Sequence, residues 1–184
     1  MSNLRLLDET SGTGVSTMTV SDVFSDNFKI YKISLYTSSA TEQETHIQLV
    51  DSNGSIITAS NYEYGQLFMR SYGNESTVQN NGDSKFRLIT GSEDNFGGNA
   101  MIYVFNPTLA SSYTYIISQM SRGYDYSNNN TFSFNTNKNI GLLKQQNSIT
   151  GFHIFNSATT SSDYKTKVYG IRIDWWRYYK LTII

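Results

Sequence analysis

Short runs of β-branched and aromatic residues, separated by turn residues, recur along the whole chain. Almost nothing shows the 3.6-residue period of an amphipathic helix. The run Ala100–Asn106 is apolar on both faces, because Met101, Tyr103 and Phe105 alternate with Ile102 and Val104. Such a strand is expected in the middle of a sheet. The pattern predicts an all-β protein with about ten to twelve short strands.

The turns between these runs favour antiparallel pairing. Asp51-Ser52-Asn53-Gly54 is a tight connection whose glycine can adopt positive φ, so the runs on either side are predicted to form a hairpin. Two packed sheets or a closed barrel would suit this pattern, and we predict a jelly-roll-like antiparallel β-sandwich. A β-helix would show a regular repeat, and none is visible. The predicted strands are Val15–Val20, Phe28–Tyr36, Thr45–Val50, Ser55–Thr58, Gln66–Ser71, Lys85–Thr90, Ala100–Asn106, Tyr113–Met120, Thr131–Asn135, Ile149–Asn156, Lys165–Ile173 and Trp175–Ile183.

A chain of 184 residues is the size of one domain with extensions. We predict an extended N-terminal arm at residues 1–14, a sandwich domain at 15–173, and an aromatic C-terminal strand or extension at 174–184. The polar tracts Ser127–Asn130, Asn135–Asn139 and Ser157–Ser162 are predicted to be loops.

The composition is poor in residues that usually perform chemistry. Ser, Thr and Asn account for 62 residues, while there are two His and no Cys. The absence of Cys excludes disulfides and thiolate zinc sites, and no cofactor or metal site is predicted. Fourteen Lys and Arg balance fifteen Asp and Glu, which argues against nucleic-acid binding. No apolar run is long enough to insert into a membrane, and Met1–Leu7 lacks a secretory pattern, so synthesis in the cytoplasm is expected.

The remaining chemical candidates are weak. His46 and His153 lie in predicted strands with no local nucleophile or orienting carboxylate, so structural or surface roles are predicted. The loop Gly91–Gly98 is rich in oxygen ligands but does not match calcium-loop spacing. A pair of glycosidase carboxylates would meet in space and not in sequence, so a glycan-cleaving enzyme remains the least favoured alternative. We predict that the protein is not an enzyme.

Two groups of aromatic residues are candidates for binding. Tyrosines on loops offer rigid faces for sugars. The candidate glycan contacts are Tyr62, Tyr64, Tyr72, Tyr124 and Tyr126. A strand that contained the second group would present apolar surface on both sides, and a second subunit would supply the missing layer. The candidate oligomer or capsid interface is Trp175, Trp176, Tyr178 and Tyr179.

Five segments, in order, resemble virion structural proteins of tailed phages of marine bacteria, including those that infect cyanobacteria. They are Val20–Ile33, Ala59–Tyr64, Phe105–Pro107, Ile149–Phe155 and Val168–Ile171, and they span nearly the whole chain. Similar proteins often end soon after the Tyr-Gly-Ile element, whereas this chain continues to Ile184. The extension favours an assembly-specific contact.

The resemblance implies a non-enzymatic β-sandwich that serves as a capsid-associated decoration, cement or spike protein. Its partners would be copies of itself, as a homo-oligomer, and other virion proteins. It would belong to the virion, assembled in the cytoplasm of the host bacterium. The alternative is a tail-fibre module that recognises a host-surface glycan.

Overall fold

The computed structural model describes residues 3–39, 43–71, 75–92, 97–126, 131–157 and 161–172. These residues form strands and connecting turns, with no helix among them. The described part of the chain therefore contains no helix long and apolar enough to cross a membrane. The strands are β1 (Leu4–Val15), β2 (Thr17–Val20), β3 (Ile30–Ser39), β4 (Gln43–Asp51), β5 (Tyr62–Arg70), β6 (Ser76–Asp83), β7 (Phe86–Ser92), β8 (Gly98–Phe105), β9 (Thr114–Tyr126), β10 (Thr131–Leu143), β11 (Ile149–Asn156) and β12 (Ser162–Ile171).

The strands form an antiparallel sandwich of two sheets, as predicted. The larger sheet has eight strands in the order β1-β12-β3-β8-β9-β10-β5-β6, and the smaller has four in the order β2-β11-β4-β7. Consecutive strands β1/β2, β3/β4, β7/β8 and β11/β12 fall in opposite sheets. This alternation is the double Greek-key order of a jelly roll. The hairpins β5–β6 and β9–β10 extend the larger sheet beyond β8.

Several predicted boundaries need correction. The residues predicted as an N-terminal arm belong, where described, to β1, which pairs with β12 as the edge strand of the larger sheet. The tract Asn135–Asn139 is predicted as a loop but lies inside β10. Two of its side chains, Asn137 and Asn139, are fully buried. The polar strand β6 was not predicted, because Ser76–Asp83 lacks alternating apolar residues.

Other local predictions are confirmed. Strand β11 has the predicted bounds, and β8 lies inside its sheet between β3 and β9. Gly54 has φ of +77° in the turn that follows β4. The strand predicted at Ser55–Thr58, by contrast, is not formed, because this run makes only an isolated bridge, between Val50 and Ile56.

The core lies between the inner faces of the two sheets. Tyr31, Ile33 and Leu35 share one face of β3 and are 0 to 1% exposed. Phe152 and Ile154 of β11 supply fully buried side chains from the smaller sheet. The continuous cluster that these residues join makes the sandwich one packing unit.

The sheets approach closely at Gly141 of β10. A Cβ atom at this position would collide with the ring of Phe86 on β7 and with the carbonyl oxygen of Glu63 on β5. A larger residue would therefore push the sheets apart or shift β5.

Candidate protein-protein interface

The outer face of the larger sheet carries an apolar band that crosses six neighbouring strands. The band follows from the cross-strand register, because each member pairs directly with the next. One row contains Leu4, Ile171, Ile30, Phe105, Tyr115 and Leu142. The adjacent row contains Leu6, Tyr169, Lys32, Tyr103, Ile117 and Ile140. We call the eleven apolar residues of these rows the apolar band.

Lys32 is the only charged member of the two rows. Its ammonium nitrogen lies 6.0 Å from the centre of the Tyr169 ring, a cation-π distance. The cation therefore has an aromatic neighbour within the band, and the apolar surface continues on both sides of it.

Much of the band is accessible to solvent. The exposed fractions are 38% for Leu4, 49% for Leu6, 43% for Tyr115, 39% for Ile117 and 60% for Ile140. At roughly 200 Å² for a large side chain, these five exposures amount to about 450 Å². The half-buried members of the band add to this area. An exposed apolar area of this size is comparable with the largest patch of a typical monomeric protein, and such patches are often functional.

Shallow depressions shape this face. One, of about 470 Å³, lies over Tyr115, Ile117 and Ile140 beside Gly65. Gly65 leaves a gap in the surface, since a Cβ atom there would have only Ile140 nearby, at 3.9 Å. A second depression, of about 660 Å³, is bounded by Met101, Tyr103 and Ile117, among others. The face can therefore receive protruding side chains of a partner.

Two tyrosines predicted as exposed glycan contacts are buried, so that placement was wrong. Tyr62 is fully buried at the start of β5, and Tyr64 is 8% exposed. The Tyr62 hydroxyl accepts a hydrogen bond from the Leu49 amide (2.9 Å) and donates one to the Ile57 carbonyl (3.1 Å). Burial raises the pKa of Tyr62 well above its ordinary value. Its ring is unavailable for stacking on a sugar.

Tyr64 occupies a similar position on the same inner face. Its ring packs edge-on against Phe86, with centroids 5.5 Å apart. Its hydroxyl lies 3.2 Å from a carboxylate oxygen of Asp83 and 3.4 Å from the side-chain nitrogen of Asn80. Burial is the main cause of the raised pKa of Tyr64. Both tyrosines thus link the core to nearby turns.

The other predicted binding residues stay predictions. Tyr124 and Tyr126 lie at the end of β9, and only their backbone is described. Tyr72 and the four aromatic residues Trp175, Trp176, Tyr178 and Tyr179 lie outside the described residues.

The two histidines both contact Phe155 of β11 through their rings. Nδ1 of His153 lies 2.8 Å from the Thr19 hydroxyl, and burial lowers the pKa of His153. His46 is 3% exposed, and burial, followed by the charge of Lys85, lowers its pKa to about 4. This arrangement fits a packing role.

Two nearby carboxylates, Asp83 and Glu44, oppose the low pKa of His46. A Glu44 carboxylate oxygen lies 3.6 Å from Nε2 of His46, but the other oxygen forms an ion pair with Arg87. Because Arg87 already partners this carboxylate, burial dominates and the imidazole is neutral near pH 7.

Other buried polar groups connect the sheets. Nδ2 of Asn139 on β10 donates to the Leu88 carbonyl of β7 (3.0 Å) and to the Ser118 hydroxyl of β9 (2.8 Å). Within the smaller sheet, the Thr45 hydroxyl of β4 donates to the Asn156 side-chain oxygen of β11 at 2.9 Å. Hydrogen bonds of this kind fix the relative position of strands. Among the described residues, no three His, Asp or Glu side chains are grouped closely enough to hold a metal ion.

Sequence reasoning missed the apolar band, although its signal was present. The alternation in Ala100–Asn106 indicates a central strand, but it also places Met101, Tyr103 and Phe105 on the outward face. The same excess of apolar residues on the outward face recurs at Tyr115 with Ile117 and at Ile140 with Leu142. Pairing these positions across strands requires the register, which the sequence does not supply.

No family model matches the chain, and no curated protein matches it by sequence. A structure of the infectious bursal disease virus VP2 subviral particle is 10% identical, with a TM-score of 0.15, over 92% of this chain and 41% of that one. A mutant VP2 from T=1 particles of the same virus has the same identity and TM-score over 90% of this chain and 38% of that one. The parasporin-2 toxin of Bacillus thuringiensis is 8% identical, with a TM-score of 0.10, over 90% of this chain and 66% of that one.

The chain therefore spans about two fifths of the length of the VP2 chains. TM-scores this low support no conclusion about fold or function.

Proposed function

We propose that this protein is a structural component of a tailed-phage virion, a capsid-associated decoration, cement or spike protein that assembles through protein-protein contacts. The apolar band is the observation that carries the proposal. The five most exposed band residues, on β1, β9 and β10, present about 450 Å² of surface, which is costly in water unless a partner covers it.

Two further observations support the same function. The ordered sequence segments resemble phage virion proteins, and the jelly roll is an architecture that viral capsid and lectin domains use. Fold alone does not define function, so the exposed surface carries more weight than the topology. The buried histidines and asparagines act in packing and leave the outer face as the place for contact.

The proposal is tested by charging the band. Ile117→Lys should prevent the purified chain from rebinding to particles that lack it, because a lysine in a covered apolar contact loses its hydration. Gln119→Lys is the matched control, since Gln119 is also exposed on the outer face of β9, two residues further along. Rebinding is measured by co-sedimentation, and imaging of the intact particle locates the chain.

Equal rebinding of both variants, with unchanged melting temperatures, would exclude the band as a contact that attachment requires. A particle in which the chain is absent from the head would reject the capsid-associated role.

A glycan-binding tail-fibre module is the second candidate, favoured by a different feature. Tyr36 is 36% exposed beside a depression of about 400 Å³ whose lining includes Asn99, Thr10 and Lys165. An exposed ring among polar groups suits a sugar. Binding on a glycan array that Tyr36→Ala abolishes would support this function, and an array without signal at high protein concentration would reject it.

A further inference from the structure

The described chain ends beside the apolar band. Strand β12 runs toward its last residue, Ile171, which belongs to the band and pairs with Leu4 and Ile30. The Arg172 amide then donates to the Asn3 carbonyl at 2.9 Å. The chain therefore leaves the sheet at the outermost row of the band.

Residues 173–184 form the longest segment outside the described residues. They include Trp175, Trp176, Tyr178, Tyr179, Leu181, Ile183 and Ile184, so they are strongly apolar. An extended segment of this length spans roughly 40 Å, whereas six strands are about 24 Å across. The segment is long enough, and apolar enough, to cover a band of this kind.

The sequence of residues 173–184 favours contact with the band of a second copy over contact with the band of the same chain. To cover its own band, the chain would have to reverse direction immediately after Arg172. Tight reversals rely on Gly, Pro, Asn, Asp and Ser, and of these the segment contains only Asp174. Its β-branched and aromatic residues are instead typical of extended strands.

We propose that residues 173–184 of one copy cover the apolar band of a second copy, and that the exchange is reciprocal. The inference rests on the proposed function and deepens it: the band is the contact through which two copies assemble, and the dimer so formed is the unit that attaches to the particle. Two such contacts would each cover about 450 Å² of band and a similar area of segment, roughly 1,800 Å² in total. This area is within the range of stable protein interfaces. A reciprocal exchange also closes the assembly at a symmetric dimer.

The absence of cysteine from the chain allows a direct test with the full-length protein. One copy carries Ile140→Cys, and a second, larger tagged copy carries Leu181→Cys. The copies are mixed and treated with a short bis-maleimide. The expected product is a crosslinked dimer of one tagged and one untagged chain. A copy with Thr17→Cys, exposed on the smaller sheet, replaces the Ile140→Cys copy as control and should give at most a tenth of that product.

A second variant checks that the band itself is required. Adding Ile117→Lys to the Ile140→Cys copy should reduce the mixed product at least tenfold, whereas adding Gln119→Lys should leave it unchanged. Circular dichroism of each variant confirms that the sheets are retained.

Three results would overturn the inference. In a chain that carries both Ile140→Cys and Leu181→Cys, crosslinks formed only within single chains would place the segment on the band of its own chain. Products only between two Ile140→Cys copies would indicate that the bands face each other. A monomer without crosslinks at all concentrations would show that no part of this chain covers the band.

The proposed function fails separately. If Ile117→Lys prevents particle rebinding although no crosslink forms, the band is an interface with another virion protein and only the occupant is wrong. If crosslinks form but rebinding is unaffected, the dimer stands and the attachment function is rejected.

Discussion

Replacement of Tyr62 by phenylalanine should destabilise the fold strongly for so small a change. The variant keeps the ring but removes the hydroxyl that joins the Leu49 amide to the Ile57 carbonyl. Strand β7 pairs with β4 only as far as Ile47, so it does not reach Leu49. The Tyr62 hydroxyl thus occupies a position that a neighbouring strand would otherwise fill.

The size of the effect follows from burial. Tyr62 is 0% exposed, so water cannot easily replace the lost oxygen. Each buried backbone group left without a partner costs about 1 to 3 kcal/mol. Removal of the hydroxyl also relieves its own desolvation, so we expect a net loss of about 2 to 4 kcal/mol in the free energy of unfolding.

Urea unfolding followed by circular dichroism measures the change, provided that the slope m stays constant. With m of about 2 kcal/mol/M, the midpoint should fall by roughly 1 to 2 M. Tyr31→Phe is the matched control. The Tyr31 hydroxyl also serves two backbone groups, both of Ser25, but these bonds are only partly buried. Its loss should be near 1 kcal/mol, because Ser25, unlike Leu49 and Ile57, is only half-buried, so water can reach the freed backbone groups. A Tyr62→Phe loss no greater than that of Tyr31→Phe would refute the reasoning.

Three further predictions concern packing and protonation. Gly141→Ala should lower the free energy of unfolding by about 1 to 3 kcal/mol, because the added methyl group would collide with Phe86. In the same urea assay, the control Gly65→Ala should change stability by less than about 0.5 kcal/mol. Equal effects of the two variants would contradict the close approach of the sheets at Gly141. Asn139→Ala should cost about 1 to 3 kcal/mol by unpairing groups of both sheets; calorimetry showing an unchanged melting temperature would count against this bridge. The folded-state pKa of His46, about 4, lies below the ordinary value of 6.5. The contribution of neutral His46 to the free energy of unfolding is therefore full above pH 6.5 and declines by about 3 kcal/mol as the pH falls toward 4. His46→Gln should flatten the profile of stability against pH over that window, and a profile as steep as that of the parent protein would reject the assignment.

Much of the fold could be predicted from local patterns. The residues Tyr31, Ile33 and Leu35 alternate with polar neighbours, and side chains on a strand point to opposite faces, so their burial follows from the sequence. The turn at Gly54 was predictable for a similar reason, since a tight turn needs a residue that tolerates positive φ.

The polar strands were harder to predict. Asn137 and Asn139 are residues that favour turns, yet they are fully buried in β10. Tertiary hydrogen bonds, such as those from Asn139 to Leu88 and Ser118, outweigh local preference. The burial of Tyr62 was missed because its partners, Leu49 in β4 and Ile57 in the connection that follows β4, meet it only in the folded structure.

The sequence by itself determined that this chain forms antiparallel strands with apolar residues on both faces of several of them. Only the tertiary structure decided that outward residues such as Tyr115, Ile117 and Ile140 form one surface with Leu4 and Leu6. The physical reason is that strand alternation depends on residues two apart, whereas the band depends on which strands pair and in which register. Some of those pairings, such as Leu4 with Ile171, join residues more than a hundred positions apart, and they are fixed when the two sheets bury their shared core.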